Sequence, residues 1–224
     1  MASFFSTFFK RAPTLPDKWK MLSIKDTPLL SIDLELTGLD TSIAKITSIG
    51  WVNGTHQCID LSSAFYTVVR ASGDLQQSPV IHGLTARDLL KGEHVKTAVD
   101  QLQAFANSHV WVLHNACLDM QVLDRVAKNL GLPETQITTI DTMLLELYFL
   151  SKTQDMIKQD AVTLEQCRQR YGLPAAPNHN ALDDALATLG LAFAQCYQFD
   201  KQASAPLIDL AHTKAIKVYT IGQS

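Results

Sequence analysis

Two acidic side chains in an otherwise apolar segment are the first residues whose spacing suggests chemistry. Asp33 and Glu35 lie within residues 29–36 (L-L-S-I-D-L-E-L), separated by one leucine. On a β-strand alternate side chains share a face, so both carboxylates would point the same way. Two adjacent carboxylates that lose hydration repel each other, and a divalent cation with oxygen ligands would relieve both costs. A water-exposed strand face explains the same spacing, and this motif alone leaves both interpretations open.

A third acid, Asp119, follows a short apolar segment. Residues 110–113 are predicted to form a strand and residues 118–130 a helix, which places Asp119 in the first helical turn, near the carboxyl end of the strand. Ligand sites in open α/β sheets favour that location. The helix dipole alone also favours an acid in a first turn. The position therefore permits a ligand role without requiring one.

A histidine and two further acids surround the start of a helix predicted over residues 181–197. Asp184 lies beside small residues of this helix, which would let its backbone approach a sheet closely. His179 precedes the helix and is positioned to reach the same site. Asp183 is interpreted as a first-turn acid, in a capping box with Asn180. A lone histidine at a helix start is usually incidental, so this motif is suggestive only together with the others.

The surrounding segments predict the elements that would hold these residues. Strands are predicted at 29–36, 43–52, 56–61, 110–113 and 137–140, and helices at 95–106, 118–130, 143–150, 164–171 and 181–197. Residues 65–70 are a further strand or a strand continuation. Asn53-Gly54 is predicted to form a type I′ hairpin turn. Antiparallel strands followed by alternating helix and strand indicate a mixed sheet with helices packed against it.

The bulk composition limits the class of protein. The 224 residues suffice for one domain with a sizeable core, and a hydrophobic content of 46% is typical of a globular chain. A net charge of −3 argues against a broad basic surface but not against a nucleic-acid enzyme, because carboxylates that hold metal lower the charge. The four cysteines form no C-x-x-C pair, so no disulfide framework or zinc site is predicted and a cytoplasmic location is expected. No apolar run approaches the ~20 residues that span a membrane.

The N-terminal residues form a separate segment. Residues 1–20 contain four phenylalanines followed by basic residues, the reverse of the order in a secretory signal. We expect an apolar arm that packs on the domain or on a partner.

Taken together, three motifs resemble those of the DEDDh exonucleases, and most closely the proofreading exonucleases of the DNA polymerase III epsilon type. They are the D-x-E strand, the H-N-A-x-x-D element at residues 114–119 and the H-x-A-x-x-D-A element at residues 179–185, in the family's order and approximate spacing. The resemblance covers residues 29–197, and residues 81–85 and 141–142 also look like family segments. It implies an α/β fold with an RNase H-like mixed five-stranded sheet flanked by helices. The predicted domains are an N-terminal arm (1–28), an exonuclease domain (29–200) and a C-terminal tail (201–224).

The resemblance also implies a role for each motif residue. Asp33, Glu35, Asp119 and Asp184 would bind two divalent metal ions, Mg²⁺ or Mn²⁺, and His179 would be the general base. His179 stands five residues before Asp184, which is the spacing of the histidine subclass, since the tyrosine subclass places its tyrosine where Asn180 stands.

The implied substrate is the 3′ end of DNA, single-stranded or frayed, from which nucleoside 5′-monophosphates are released. Thr37, Gly38 and Leu39 would contact the terminal nucleotide, and His82 and Asn115 would help shape the pocket. An RNA-trimming exonuclease or oligonucleotide hydrolase of the same superfamily remains an alternative. So do a catalytically idle partner-binding module and a structural domain with a calcium-type site. The expected partners are DNA or RNA 3′ ends and a polymerase or other replication protein, with no membrane.

One further acid has a simpler interpretation. Asp141 is predicted to cap the helix that follows it.

Overall fold

A six-stranded sheet forms the centre of the molecule. The computed structural model describes residues 14–71, 84–177 and 180–223. The strands are β1 (Leu29–Leu36), β2 (Ile46–Thr55), β3 (Cys58–Val68), β4 (Val110–Leu113), β5 (Thr135–Asp141) and β6 (Ile216–Ile221). Their order is β3-β2-β1-β4-β5-β6. The β1–β4 and β4–β5 pairs are parallel and the other pairs are antiparallel, which confirms the predicted mixed sheet.

Helices cover both faces of this sheet. The described α-helices are α1 (Asp17–Lys20), α2 (Ala86–Lys91), α3 (Val95–Ala104), α4 (Ala116–Asn129), α5 (Thr142–Leu150), α6 (Leu164–Arg170) and α7 (Ala181–Phe199). Two 3-10 helices, Gln159–Val162 and Leu207–Thr213, complete the set in the described ranges. Buried residues of α3 and α4 pack on one face of the sheet, and buried residues of α5 and α7 pack on the other.

The alternation of β1 divides its side chains between these two layers. Leu30, Ile32 and Leu34 belong to the apolar cluster on the α4 side. Leu29 belongs to the cluster on the α7 side. Because neighbouring side chains of a strand point to opposite faces, the odd-numbered residues of β1 all face α7.

The predicted turn of the first hairpin was wrong. Asn53 and Gly54 lie within β2, and the chain reverses at His56 and Gln57, whose φ angles are 51° and 61°. Gly54 has a packing role instead, because a Cβ there would lie 2.9 Å from Leu189 Cδ2 of α7. The Asn-Gly pair is a strong local turn signal, but the close approach of α7 is a long-range demand that local sequence does not show.

The sheet has six strands rather than the predicted five. The sixth, β6, comes from the segment interpreted as a C-terminal tail, and it pairs with β5 from Thr135↔Ile221 to Ile140↔Ile216. The resemblance to known exonucleases ended near residue 200, so the prediction stopped there. The alternating sequence I-K-V-Y-T-I at residues 216–221 was the signal that could have revealed the strand.

The described part of the N-terminal segment packs on the domain. Leu15, Trp19 and Ile24 are buried in one cluster with Leu207 and Leu210. Residues 1–13, which carry the four phenylalanines, lie outside the described residues. Among the described helices, none has both the length and the apolar character needed to cross a bilayer.

Candidate active site

The acidic pair of β1 faces helix α7, as the strand alternation predicted. Asp33 and Glu35 share the α7 side of the sheet with Leu29. In the register with β2, Asp33 stands opposite Gly50 and Glu35 stands opposite Ser48. Glu35 is buried and Asp33 is half-buried. The pair therefore does not lie on a water-exposed strand face.

Gly50 allows the start of α7 to lie directly against the sheet beside Asp33. A Cβ at Gly50 would lie 2.3 Å from both the carbonyl carbon of Ala181 and the nitrogen of Leu182. Those are backbone atoms of the first turn of α7, so only a residue without a side chain fits there. Asn180 caps this turn, because its side-chain oxygen accepts hydrogen bonds from the backbone N–H groups of Leu182 and Asp183 at 3.0 and 3.3 Å. The sequence analysis missed Gly50, a glycine inside an apolar strand, which is itself a sign of close backbone approach.

This approach brings three of the predicted ligands together. Carboxylate oxygens of Asp33, Glu35 and Asp184 all lie within 4.8 Å of one another. Hard oxygen donors at this separation suit Mg²⁺ or Mn²⁺. The cluster combines two residues of a central strand with one from the first turn of α7, so it depends on tertiary packing rather than on one local motif.

Asp119 joins the same electrostatic environment from α4. Its side chain is only 6% exposed. Burial, together with the charges of Asp141 and Glu35, raises the pKa of Asp119 to about 8. Burial, followed by the charges of Asp119, Glu35 and Asp184, raises the pKa of Asp33 well above its ordinary value. Neighbouring carboxylates therefore destabilise the ionised forms of Asp33 and Asp119, and bound cations would remove that cost.

Asp141 fixes the helix that carries Asp119. Its carboxylate accepts hydrogen bonds from Met143 N and Leu144 N at 3.0 and 3.3 Å, which confirms the predicted cap of α5. It also accepts from Asn115 N and Ala116 N at 3.1 and 2.9 Å, at the start of α4. Asn115 is left-handed, with φ at 68°, a conformation that asparagine tolerates better than most residues. One carboxylate thus joins the starts of two helices at the carboxyl edge of the sheet.

His114, the histidine of the second motif, makes hydrogen bonds that connect separate parts of the fold. Its Nε2 lies 2.9 Å from the carbonyl oxygen of Val162, and its Nδ1 lies 2.8 Å from Thr142 Oγ1. Because a carbonyl only accepts, Nε2 carries a proton and donates a hydrogen bond to Val162. Burial lowers the pKa of His114. A neutral His114 therefore connects the end of β4 to α5 and to the 3-10 helix before α6.

The residues predicted to contact the terminal nucleotide follow β1 directly. Thr37 closes a loop through two hydrogen bonds, from its own N–H to Lys45 O at 2.9 Å and from Lys45 N–H to its hydroxyl oxygen at 3.0 Å. Leu39, two residues later, is 82% exposed. An exposed leucine on a fixed loop next to the acids is available for contact with an apolar surface. His82 and His179 lie outside the described residues.

Comparison with known proteins assigns this arrangement to a family. A family model described as Exonuclease (RNase T) matches residues 30–192. The chain belongs to this exonuclease family. The predicted resemblance to DEDD-type exonucleases is thus confirmed, and membership supports nuclease activity.

The curated relatives are much longer proteins. A DNA polymerase III of the PolC type from Thermotoga petrophila is 27% identical over 169 residues, which is 74% of this chain and 12% of the relative. A putative bifunctional exonuclease/endonuclease protein from Mycobacterium tuberculosis is 26% identical over 175 residues, which is 75% of this chain and 26% of the relative. The chain therefore corresponds to a fraction of each relative's length.

Solved structures share the fold at lower identity. Exonuclease X in complex with 5′ overhanging duplex DNA has a TM-score of 0.60 and 22% identity, with 81% of this chain and 98% of that chain covered. The zinc-bound E. coli ExoI–ssDNA complex has a TM-score of 0.68 and 12% identity, with 84% of this chain and 43% of that chain covered. These likenesses confirm the RNase H-like α/β fold.

Proposed function

We propose that this chain is a 3′-to-5′ exonuclease that hydrolyses the terminal phosphodiester bond of DNA and releases nucleoside 5′-monophosphates. One observation carries the proposal. In a chain of the exonuclease family, the carboxylates of Asp33, Glu35 and Asp184 come within 4.8 Å, on the face of the sheet turned towards α7. Buried Asp119 adds a fourth carboxyl group to the same environment.

The residues present fit two divalent cations. Asp33, Glu35, Asp119 and Asp184 offer only oxygen ligands, and the burial of Glu35 and Asp119 gives a cation a large stabilising role. When bound, Mg²⁺ or Mn²⁺ would supply Lewis-acid stabilisation of the negative charge that develops during hydrolysis. The protein's contribution is to hold the four carboxylates in place through β1, the capped start of α4 and the contact of α7 with Gly50.

His179 is the proposed general base. It precedes α7, the helix that carries Asp184, and stands five residues before that ligand in the sequence. An imidazole with an ordinary pKa near ~6.5 accepts the proton of an attacking water at neutral pH. This role makes the chain a member of the DEDDh subclass.

The end of the nucleic acid is proposed to lie against the loop that follows β1. Thr37, Gly38 and Leu39 would contact the terminal nucleotide, with the exposed Leu39 side chain against its base or sugar. His82 and Asn115 would complete the pocket, Asn115 from the start of α4. Water would then reach the terminal phosphate only at the acidic cluster.

The proposed substrate is a single-stranded or frayed 3′ end of DNA, and a polymerase is the proposed partner. Two similar structures are complexes with DNA, namely Exonuclease X with 5′ overhanging duplex DNA and E. coli Exonuclease I with a dA16 oligonucleotide. The PolC-type relatives place a similar segment within DNA polymerases. A third similar structure, with a TM-score of 0.64, is a 3′-exonuclease that recognises histone mRNA, so RNA is the alternative substrate to be tested. The proposed location is the cytoplasm.

A time course on 5′-labelled oligonucleotides tests the function. Single-stranded DNA, recessed duplex DNA and RNA are incubated with Mg²⁺, with Mn²⁺ and with EDTA. We expect a ladder of shortened 5′-labelled products on DNA with either metal and none with EDTA. Immediate release of a labelled mononucleotide would contradict the polarity, and a faster ladder on RNA would reassign the substrate.

A further inference from the structure

The loop between β1 and β2, residues 37–45, is attached to helix α4 by Arg125. Arg125 Nε donates to the carbonyl oxygen of Thr41 at 2.8 Å, and its Nη2 donates to the carbonyl oxygen of Ala44. One turn earlier on α4, the side-chain oxygen of Gln121 accepts a hydrogen bond from the Thr41 hydroxyl at 2.9 Å. The bonded residues lie at least 80 positions apart in the sequence. The loop is therefore held by a tertiary contact in addition to its own hydrogen bonds.

The two bonds of Arg125 set the curvature of this loop. Thr41 and Ala44 both present a backbone carbonyl to the same guanidinium. A guanidinium is planar and its N–H donors form a rigid fork, so one side chain holds both carbonyls at a set separation. Ala44 is buried in the apolar cluster on the α4 side of the sheet. Thr41, which is farther out on the loop, is thus connected to a residue that the core already fixes.

Leu39, one of the residues proposed to contact the terminal nucleotide, lies between two fixed points of the loop. On one side, Thr37 exchanges two hydrogen bonds with Lys45, at 2.9 and 3.0 Å. On the other side, Thr41 is bonded to Arg125 at 2.8 Å. Leu39 itself is 82% exposed. Fixing the backbone on both sides of Leu39 before binding removes part of the entropy cost that a ligand would otherwise have to offset.

Helix α4 also carries Asp119, one of the four acids of the candidate metal site. Arg125 follows Asp119 by six residues, which is about 9 Å along a helix that rises 1.5 Å per residue. Asp119 lies in the first turn of α4, whose start is bonded to Asp141. One helix therefore sets the position of the loop relative to the acids, and the loop contact is separate from the contacts that hold Asp119.

We infer that Arg125 is a positioning residue for substrate binding, because its two bonds hold residues 37–41 in the shape that receives the terminal nucleotide. The inference rests on the proposed function, which places that nucleotide at this loop. Arg125 acts through the loop and not on the reacting bond. An interaction that is made equally in the ground state and the transition state raises KM when it is removed and leaves kcat unchanged. The role therefore has a kinetic signature that differs from that of a metal ligand.

Steady-state kinetics of four proteins test the inference. Arg125→Met keeps an unbranched side chain of similar length without its donors, and Arg125→Lys keeps the charge without the fork. Lys128→Met is the matched control, because Lys128 is exposed on the same helix and the change also removes one positive charge, with its ion pair to Asp124. KM and kcat are measured on 5′-labelled single-stranded DNA with Mg²⁺ for wild type and the three variants.

Three further measurements separate loop positioning from a general effect on the fold. Fluorescence anisotropy with Mn²⁺ gives the Kd of the same DNA with a phosphorothioate at its last bond. Calorimetry gives the affinity for Mn²⁺ alone. Hydrogen exchange reports the loop amides of Ile43 and Ala44, which donate to the carbonyl oxygen of Asp40 at 3.1 and 2.8 Å. Thermal melting verifies that each variant is folded.

Arg125→Met should raise KM and the phosphorothioate Kd about tenfold, as expected for two lost hydrogen bonds, and leave kcat within about twofold. Arg125→Lys should raise both about fivefold, because a lysine cannot hold two carbonyls in a fixed fork. In both variants the loop amides should exchange about tenfold faster while Mn²⁺ affinity stays within about twofold of wild type. Lys128→Met should behave as wild type.

Gln121→Leu keeps the test decisive if Arg125→Met does not fold. It removes the acceptor of the Thr41 hydroxyl at an exposed position and should raise KM about threefold. The inference is overturned if KM and Kd stay at wild-type values in the folded variants, if kcat falls in place of a rise in KM, or if Mn²⁺ affinity falls in step with KM.

Failure of the proposed function would look different. A wild-type chain whose DNA binding depends on Arg125, but which never shortens an unmodified 5′-labelled oligonucleotide, would remove the nuclease proposal alone. Shortening with a KM that does not depend on Arg125 would remove the positioning role alone. A wild-type chain that binds and shortens no DNA would remove both.

Discussion

Two groups of buried carboxylates lie on the α7 side of the sheet, and they differ in what surrounds them. Glu146 on α5 is 2% exposed, and it accepts hydrogen bonds from Arg170 Nη1 at 2.8 Å and from Gln195 Nε2 at 2.9 Å. Asp33 and Asp119 are surrounded by further acids, whose charges raise the pKa values of both after burial has done so. Asp119 is 6% exposed and therefore buried like Glu146, so burial alone does not distinguish the two groups.

The difference indicates which group is structural and which is functional. The Glu146 group joins α5, α6 and α7, because Gln195 also donates to the carbonyl oxygen of Thr142 at 3.0 Å and Arg170 donates to that of Ala161. Its carboxylate is paired and hydrogen-bonded, so removing one partner would leave a buried polar group unsatisfied. Within the described residues, the acidic cluster has no such partners for Asp33 and Asp119 among the causes of their pKa shifts, and bound cations would offset its negative charge. Unfavourable interactions between charges that a ligand would relieve are typical of active sites.

The largest expected effect comes from neutralising one member of the acidic cluster. Asp184→Asn keeps the side-chain size and removes one charge, so we expect kcat to fall about 10³- to 10⁴-fold, the equivalent of several kcal/mol of metal-dependent stabilisation. In EDTA the free energy of unfolding should be unchanged or higher, because repulsion falls. Asp183→Asn, the same change one residue earlier, should keep the wild-type rate on a 5′-labelled oligonucleotide. Equal rates for Asp184→Asn and wild type would remove Asp184 from the site.

The next largest effect on kcat is expected from removing the proposed general base, His179. His179→Ala should lower kcat about 10³-fold, within the range that a general base contributes. The pH–rate profile should lose its acidic limb, and Mn²⁺ binding followed by calorimetry should change little. His109→Ala, at a half-buried position before β4, is the matched control and should leave the profile unchanged. A surviving limb in His179→Ala would assign the proton transfer to another group.

Much of the site could be predicted from sequence because its parts are local. Alternation on β1 placed Asp33 and Glu35 on one face, and the small residues around Asp184 indicated the side of α7 that meets the sheet. Gly50 could not be predicted as part of the site. A glycine is required there only because the backbone of Ala181 and Leu182, far along the chain, packs against it. Local patterns specify elements, whereas close approaches between elements depend on the assembled fold.

Contacts between distant parts of the chain also explain where the predicted fold was wrong. The Asn53-Gly54 signal is local and strong, yet the register of β2 with β3 and the packing of α7 on Gly54 moved the turn to His56 and Gln57. Asp141 was correctly interpreted as a cap of α5. Its second set of hydrogen bonds, to the start of α4, required the parallel pairing of β4 with β5.

A change at Gly50 tests whether the acidic cluster depends on the contact of α7 with β2. Gly50→Ala should push the first turn of α7 from the sheet, because its Cβ would lie 2.3 Å from backbone. A displacement of about 1 Å at Asp184 is expected to lower kcat about 10²-fold, with about 1–3 kcal/mol lost from the free energy of unfolding.

The matched control for this variant is Gly190→Ala, in α7 itself. A Cβ there meets only the Arg168 side chain at 3.5 Å, which is an ordinary contact. Replacing a mid-helix glycine should raise the free energy of unfolding by about 0.5–1 kcal/mol and leave kcat unchanged. Wild-type activity in Gly50→Ala would show that the cluster does not need this contact.

The smallest effect on kcat is expected from a change in the Glu146 group, where the free energy of unfolding should fall instead. Glu146→Ala removes the acceptor of Arg170 and Gln195, and the exposed part of Arg170 lets water replace some of the loss. We expect the free energy of unfolding in urea to fall by about 2 kcal/mol, as for a hydrogen-bonded charged group. The value of kcat should stay within a few-fold of wild type.

The control variant is Asp100→Ala, which breaks the exposed pair with Lys96 and should lower the free energy of unfolding by at most about 0.5 kcal/mol. Glu146→Ala could instead lower kcat as strongly as Asp184→Asn while the chain stays folded. In that case Glu146 would be required for activity, and the presence of hydrogen-bonding partners would not distinguish structural carboxylates from functional ones.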